Sequence, residues 1–113
     1  MVREARLAAI AAAVLEGQLE ITDHYILDRL PDPDRPRIRQ IRAALMWPEA
    51  LIIEDYRDHP WGPAALIWSR PDLRIIHVEC TYPPFPKVIT AYWPDLRPEH
   101  WEDAEFTRRR VGG

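Results

Sequence analysis

Near Ala50 the apolar residues change period, and that change constrains the fold more than any other feature of the chain. Before it, Leu7, Ile10 and Val14, then Ile38, Ile41 and Leu45, recur at steps of three and four, the spacing of one buried helix face. After it, residues 51–56, 64–69, 73–81 and 87–93 read as strands rich in Ile, Val, Thr and aromatics. The links between them, 57–63, 70–72 and 82–86, are short enough for hairpins, so four sequential strands make an antiparallel meander. Helices that precede such a sheet are expected to cover one of its faces. The predicted class is therefore α+β.

Proline and glycine punctuate the rest. The N-terminal helix spans residues 1–17 and stops at Gly17 as a C-terminal cap. The same stretch superficially resembles a signal peptide, but Glu4 lies among the arginines and Glu16 closes the apolar run. Residues 18–22 are short and extended, an edge-strand candidate. Thr22 or Asp23 can N-cap a short helix from His24 to about Leu30. Pro31, Pro33 and Pro36 interrupt the chain, and Pro36 opens a helix that runs to about Trp47. Pro98 opens a last helix through Trp101 and Phe106, so that residues 98–110 form a C-terminal helix and the basic tail Arg108, Arg109 and Arg110. No repeat or linker divides the chain, and residues 1–113 read as one domain with its core in 21–95.

Composition excludes several function classes. Hydrophobic residues at 47% and charged residues at 29% are ordinary for a globular domain. No run approaches the roughly 18 apolar residues of a membrane span. The single cysteine, Cys80, has no internal partner, which fits a reducing, cytoplasmic setting. Net charge is −3, so an RNA partner would need a local basic surface. Lys87 is the lone lysine among 15 basic residues, a bias that reflects codon usage before it reflects function. There is no glycine-rich phosphate loop, cysteine pair or His-Glu-x-x-His, so neither metal nor cofactor is expected.

Alternation along the last two strands assigns side chains to faces. Ile76, Val78, Ile89 and Ala91 are expected beneath the helices; His77, Glu79, Thr90 and Tyr92 would line an uncovered face. His24 admits two readings, a helix-start residue bonded to backbone or a general base or acid. Arg29 either meets the end of the short helix or clamps a phosphate with its planar fork. Arg35, Arg39 and Arg42 recur at steps of four and three, a solvated face or a phosphate track. Trp61, Tyr82 and Phe85, in proline-rich loops, either pin those loops or stack bases.

Several segments in sequence resemble a known pattern: Ile21-Thr22-Asp23-His24, Asp28-Arg29-Leu30-Pro31, Ile52-Ile53-Glu54-Asp55-Tyr56, Ile76-His77-Val78-Glu79, and Val88-Ile89-Thr90-Ala91-Tyr92 before Pro94-Asp95. The chain resembles a family of small bacterial domains of unassigned function, often encoded beside zinc-finger antitoxins of the kind that pairs with the MqsR toxin. That family belongs to the barnase–EndoU–colicin–RelE (BECR) nuclease superfold. The resemblance implies a RelE-like fold and a toxin of a type II toxin–antitoxin system. Its activity would be metal-independent RNA cleavage by attack of the ribose 2′-hydroxyl on the adjacent phosphate. It also implies an RNA substrate and a cognate antitoxin, with a zinc-finger protein as one candidate. The site residues it implies are His24 as base or acid, Arg29 as phosphate clamp and Thr90 and Tyr92 as hydrogen-bonding groups. His77 and Lys87 stand behind these, and Arg35, Arg39 and Arg42 are the RNA-binding stripe. The competing expectation is a catalytically inactive binding module on the same fold, recognising a partner protein or RNA.

Overall fold

A computed structural model describes residues 2–111; Met1, at the start of the expected first helix, and residues 112–113 lie outside it. The chain runs α1 (Val2–Leu15), β1 (Glu20–Ile21), α2 (Asp23–Asp28), α3 (Ile38–Met46), β2 (Leu51–Tyr56), β3 (Ala64–Ser69), β4 (Ile76–Thr81) and β5 (Lys87–Tyr92). The strand order is β1-β5-β4-β3-β2. The meander β2 to β5 is antiparallel as expected, but the two-residue β1 pairs parallel with β5, through Glu20↔Lys87 and Ile21↔Val88. The fold is thus α+β, with a five-stranded mixed sheet where four antiparallel strands were expected.

Local chemistry sets the helix ends. Gly17, at φ +76°, closes α1 in a Schellman arrangement, in which Gln18 N–H donates to the Ala13 carbonyl at 2.8 Å and Gly17 N–H to that of Val14 at 3.1 Å. Thr22 N-caps α2, its hydroxyl oxygen accepting from Tyr25 N–H at 3.3 Å. The helix α3 begins at Ile38, later than Pro36, because Arg37 is its N-cap and the Gln40 side chain accepts from Arg37 N–H at 2.8 Å. Arg35 therefore precedes the helix instead of sharing a stripe with Arg39 and Arg42.

The core lies between the helices and one sheet face. Ile10, Val14, Tyr25, Ile41 and Leu45 pack against Ile52, Ala65, Ile67, Ile76, Val78, Cys80, Val88 and Ala91. One strand assignment is corrected here. A bulge between Glu79 and Cys80 sets Cys80 opposite Val88 and Glu79 opposite Thr90, so Ile89 is the extra residue and Val88 takes its expected place in this core.

The C-terminal helix expected over 98–110 does not form. Two 3-10 turns, Pro94–Leu96 and Pro98–His100, lead into a strap that doubles back on itself with Trp101 bridged to Arg109. Glu102 N–H donates to the Arg108 carbonyl and Arg110 N–H to that of His100, both at 2.8 Å. The Asp103 carboxylate accepts from the backbone N–H groups of Thr107 and Arg108 and holds the turn. Phe106 adopts φ +59°, a left-handed conformation that no right-handed helix can pass through. This strap lies on the sheet face expected to be uncovered: Trp68 Nε1–H donates to the Glu105 carbonyl at 2.7 Å, and His77 Nε2 meets the Phe106 carbonyl at 2.9 Å.

Candidate functional site

The register places Glu54, Leu66, Glu79 and Thr90 in one row across the far face of the sheet, with Trp68, His77 and Tyr92 in the next. The strap covers the second row. Beside it a cavity of about 620 Å³ remains, lined by Arg35, Tyr56, Glu79, Tyr92, His100 and Arg109 among others.

Arg35 enters this cavity from the loop before α3. Its Nη1 donates to the Ala91 carbonyl at 3.1 Å and reaches the Thr90 hydroxyl at 3.5 Å. Arg109 enters from the strap and holds the Glu54 carboxylate at 3.1 Å through both Nε and Nη2, while the Tyr56 hydroxyl donates to the same carboxylate. These bonds, Glu54 foremost, raise the affinity of Arg109 for its proton, and the guanidinium stays charged. Burial first, then the Glu54 hydrogen bond, pushes the Tyr56 phenol up. Burial likewise holds Tyr92 at about 12, so its hydroxyl stays a donor.

Two imidazole–carboxylate pairs flank the loop tip at Trp61. In the first, His24 Nδ1 lies 3.1 Å from Asp28 Oδ2, one helical turn later on α2. A carboxylate only accepts, so in a neutral ring the proton sits on Nδ1 and the Nε2 lone pair is left available as an acceptor. In the second, His59 Nε2 lies 3.6 Å from Glu79 Oε1. His59 Nδ1 accepts from Trp61 N–H at 3.1 Å, which leaves the ring proton on Nε2, facing Glu79. Desolvation raises the Glu79 pKa, against the opposing pull of His59 and Arg109, and makes the carboxyl readier to hold and pass a proton. The His24 and His59 rings stand 6.0 and 6.5 Å from the Trp61 ring, both nearly perpendicular to it. Tyr56 and Glu79 line both the main cavity and an adjoining hollow of about 470 Å³ that includes His59.

The expected site residues fall into different surroundings. Thr90 and Tyr92 lie on the cavity side, Thr90 against Arg35 and opposite Glu79, as alternation implied. His24 sits just after the strand that pairs with β5, where Thr22 N–H donates to the Val88 carbonyl at 3.2 Å. His77 is not on an open face. It is wholly buried between Tyr92, Trp101 and the Phe106 carbonyl, and burial pushes its pKa down to about 4. Arg29 is the C-cap of α2, and its guanidinium reaches the Asp28 carbonyl at 3.5 Å. Lys87 is exposed at the start of β5, its backbone N–H donating to the Thr81 hydroxyl at 2.8 Å. Arg39 and Arg42 ride on α3, whose buried residues join the core on the other side of the sheet. Among the described residues no three His, Cys, Asp or Glu side chains converge as a metal ion requires.

Sequence reasoning passed over His59, Asp28 and Arg109. The four-residue step from His24 to Asp28 on a helix was a usable signal. His59 and Arg109 reach the site through a loop and a strap that no periodicity describes. No family model, curated protein or solved structure matches the chain significantly.

Proposed function

We propose that this chain is a toxin-like ribonuclease of a type II toxin–antitoxin pair, cleaving RNA without a metal by attack of a 2′-hydroxyl on the adjacent phosphate. The observation that carries this reading is the presence of two separate acid–base pairs, Glu79–His59, whose Glu79 lines the arginine-bearing cavity, and Asp28–His24, which meets the same Trp61 ring as His59. The reaction needs one group to take a proton and another to give one. His24 Nε2 takes the proton of the 2′-hydroxyl as the bond from O2′ to phosphorus forms. The bond to the 5′-oxygen breaks, and the Glu79–His59 pair supplies a proton to that leaving oxygen. Arg35 and Arg109 stabilise the negative charge that develops on the phosphate, and Thr90 donates a hydrogen bond. The products are a 2′,3′-cyclic phosphate and a free 5′-hydroxyl.

Helices followed by a four-strand antiparallel meander suit the BECR arrangement, in keeping with the sequence resemblance. A cytoplasmic setting and an antitoxin that covers the cavity belong to the same reading. Because the chain as a whole carries −3, an acidic cover would be drawn only to the local arginines at the cavity.

One observation favours the alternative of a non-cleaving binding module. Glu54 already engages Arg109, and Arg35 is bonded to the sheet, so both cations are in use within the protein. Cleavage of RNA in EDTA, compared among wild type, His24→Ala, Glu79→Gln and Thr90→Ala, separates the two. Cyclic-phosphate ends that disappear in folded His24→Ala and Glu79→Gln support the ribonuclease. Absence of cleavage and of growth arrest by the wild type would reject it for the binding module.

A further inference from the structure

Trp61 is left half in water, at 46% exposure, although burying an indole is among the most favourable things a side chain can do. It is not a loosely placed residue. Its loop is pinned by Trp61 N–H to His59 Nδ1 at 3.1 Å and by Gly62 N–H to the His59 carbonyl at 2.9 Å. The loop's far end is tied where Tyr82 N–H donates to the Pro63 carbonyl at 3.0 Å. Gly62, at φ +100°, makes a turn that a side chain would strain. Two imidazoles set the plane of the indole, at 86° and 82° to their own. The result is a fixed, partly open aromatic surface between the two acid–base pairs. Such a surface costs little ordering when a flat ligand settles on it.

We infer that Trp61 is a stacking platform for an unpaired base next to the scissile phosphate, and that the substrate is therefore single-stranded RNA; the inference rests on the ribonuclease reading above. A base in a duplex already has both faces stacked and cannot lie on an indole. An unpaired base can, whatever its identity, because every base has a π-face. The platform thus selects strandedness more than sequence, and it holds a nucleotide while His24 and the Glu79–His59 pair act on the phosphate beside it.

The test uses the full chain and a 2′-O-methyl hexanucleotide, which cannot be cleaved, with 2-aminopurine placed at each position in turn. Fluorescence is expected to be quenched on binding at one position. Trp61→Ala should abolish that quench and weaken binding about 10- to 100-fold, whereas Trp61→Phe should stay within about threefold of wild type. An abasic nucleotide at the quenched position should weaken wild-type binding to the same extent and remove any further effect of Trp61→Ala. Circular dichroism checks that Trp61→Ala is folded. Wild-type-like affinity and quench in Trp61→Ala overturn the platform, as does failure of the wild type to bind any of the oligonucleotides. If the platform behaves as expected but the all-ribose hexanucleotide is not cleaved, the ribonuclease reading falls and the platform stands. If the hexanucleotide is cleaved but binding does not depend on Trp61, the platform falls and the ribonuclease stands.

Discussion

The Tyr92 hydroxyl donates to His77 Nδ1 at 3.2 Å, from the neighbouring strand, and this fixes the protonation of a wholly buried imidazole. The other ring nitrogen faces the Phe106 carbonyl at 2.9 Å, which can only accept, so Nε2 carries the single proton. His77 therefore ties the sheet to the strap as a neutral ring. Its pKa is pushed down to about 4, by burial above all. Between that value and the unfolded histidine value of about 6.5, the unfolded chain binds the extra proton and the folded chain does not. Stability is then highest above about pH 6.5 and falls towards pH 4, by on the order of 3 kcal/mol from this residue. Urea denaturation at a series of pH values reads the slope. His77→Phe should flatten that slope while costing about 2 kcal/mol at neutral pH, since the Phe106 carbonyl and Tyr92 hydroxyl lose their partner.

The strap depends more on its buried ring than on its visible ion pair. Trp101 is 3% exposed and packs edge-on against His77 at 4.5 Å, whereas the side chain of Arg109 is nearly half in water. Trp101→Ala should cost about 3–5 kcal/mol, and Arg109→Ala at most about 1 kcal/mol. Limited proteolysis should cut residues 102–108 readily in Trp101→Ala and slowly in Arg109→Ala. Equal protection in the two variants would show that the strap is held by something other than the indole.

Much of this architecture was legible because strands and helices carry different periods. The bounds of β2 and β3 follow directly from alternating and continuous apolar runs, and Gly17 and Thr22 mark ends that the chain observes. Where reading fails, a local device interrupts the period. Leu73 adopts φ +70° in the β3–β4 turn and is 96% exposed, so β4 starts at Ile76 instead of three residues earlier. The bulge at Glu79 exchanges Ile89 for Val88 without any mark in the sequence. His77 and Glu79 were correctly placed on one face, but no strand pattern tells that a strap folds over the first and leaves the second beside a cavity. His59 joins Glu79 from a loop, and only coordinates bring them together.

Burial makes Glu79 costly to ionise. Desolvation raises its pKa, so the folded chain holds this proton more tightly than the unfolded chain does. The sign is opposite to that of a salt-bridged carboxylate. Ionising Glu79 costs folding free energy, and its penalty grows as pH rises through the carboxylate range and then levels off. Glu79→Gln should accordingly be more stable than wild type at pH 8 and no more stable at pH 4, measured as urea midpoints. The same variant should lose about 100-fold or more in RNA cleavage. A Glu79→Gln protein less stable than wild type at pH 8 would mean that the ion pair with His59 outweighs the cost of burial.

His24 and Asp28 should behave as a unit in kinetics. Neither residue lines the main cavity; Asp28 holds the His24 ring from one turn further along α2, at 3.1 Å, and in the proposed reaction it acts by positioning. On the proposed ribonuclease reading, removing His24 removes the base, with an expected loss of about 100- to 10,000-fold in kcat. Asp28→Asn keeps a group that can bond Nδ1 but no longer favours the tautomer with Nε2 free, and about a tenfold loss in kcat with little change in KM is expected. In the double variant the Asp28 change should add almost nothing, because an absent base cannot be misoriented. Thr22→Ala supplies the control: it weakens the cap of α2 by about 1 kcal/mol without touching the pair, and its cleavage rate should follow its stability. Fully multiplicative losses for Asp28→Asn and His24→Ala would sever Asp28 from the base and leave its carboxylate as an ordinary surface partner.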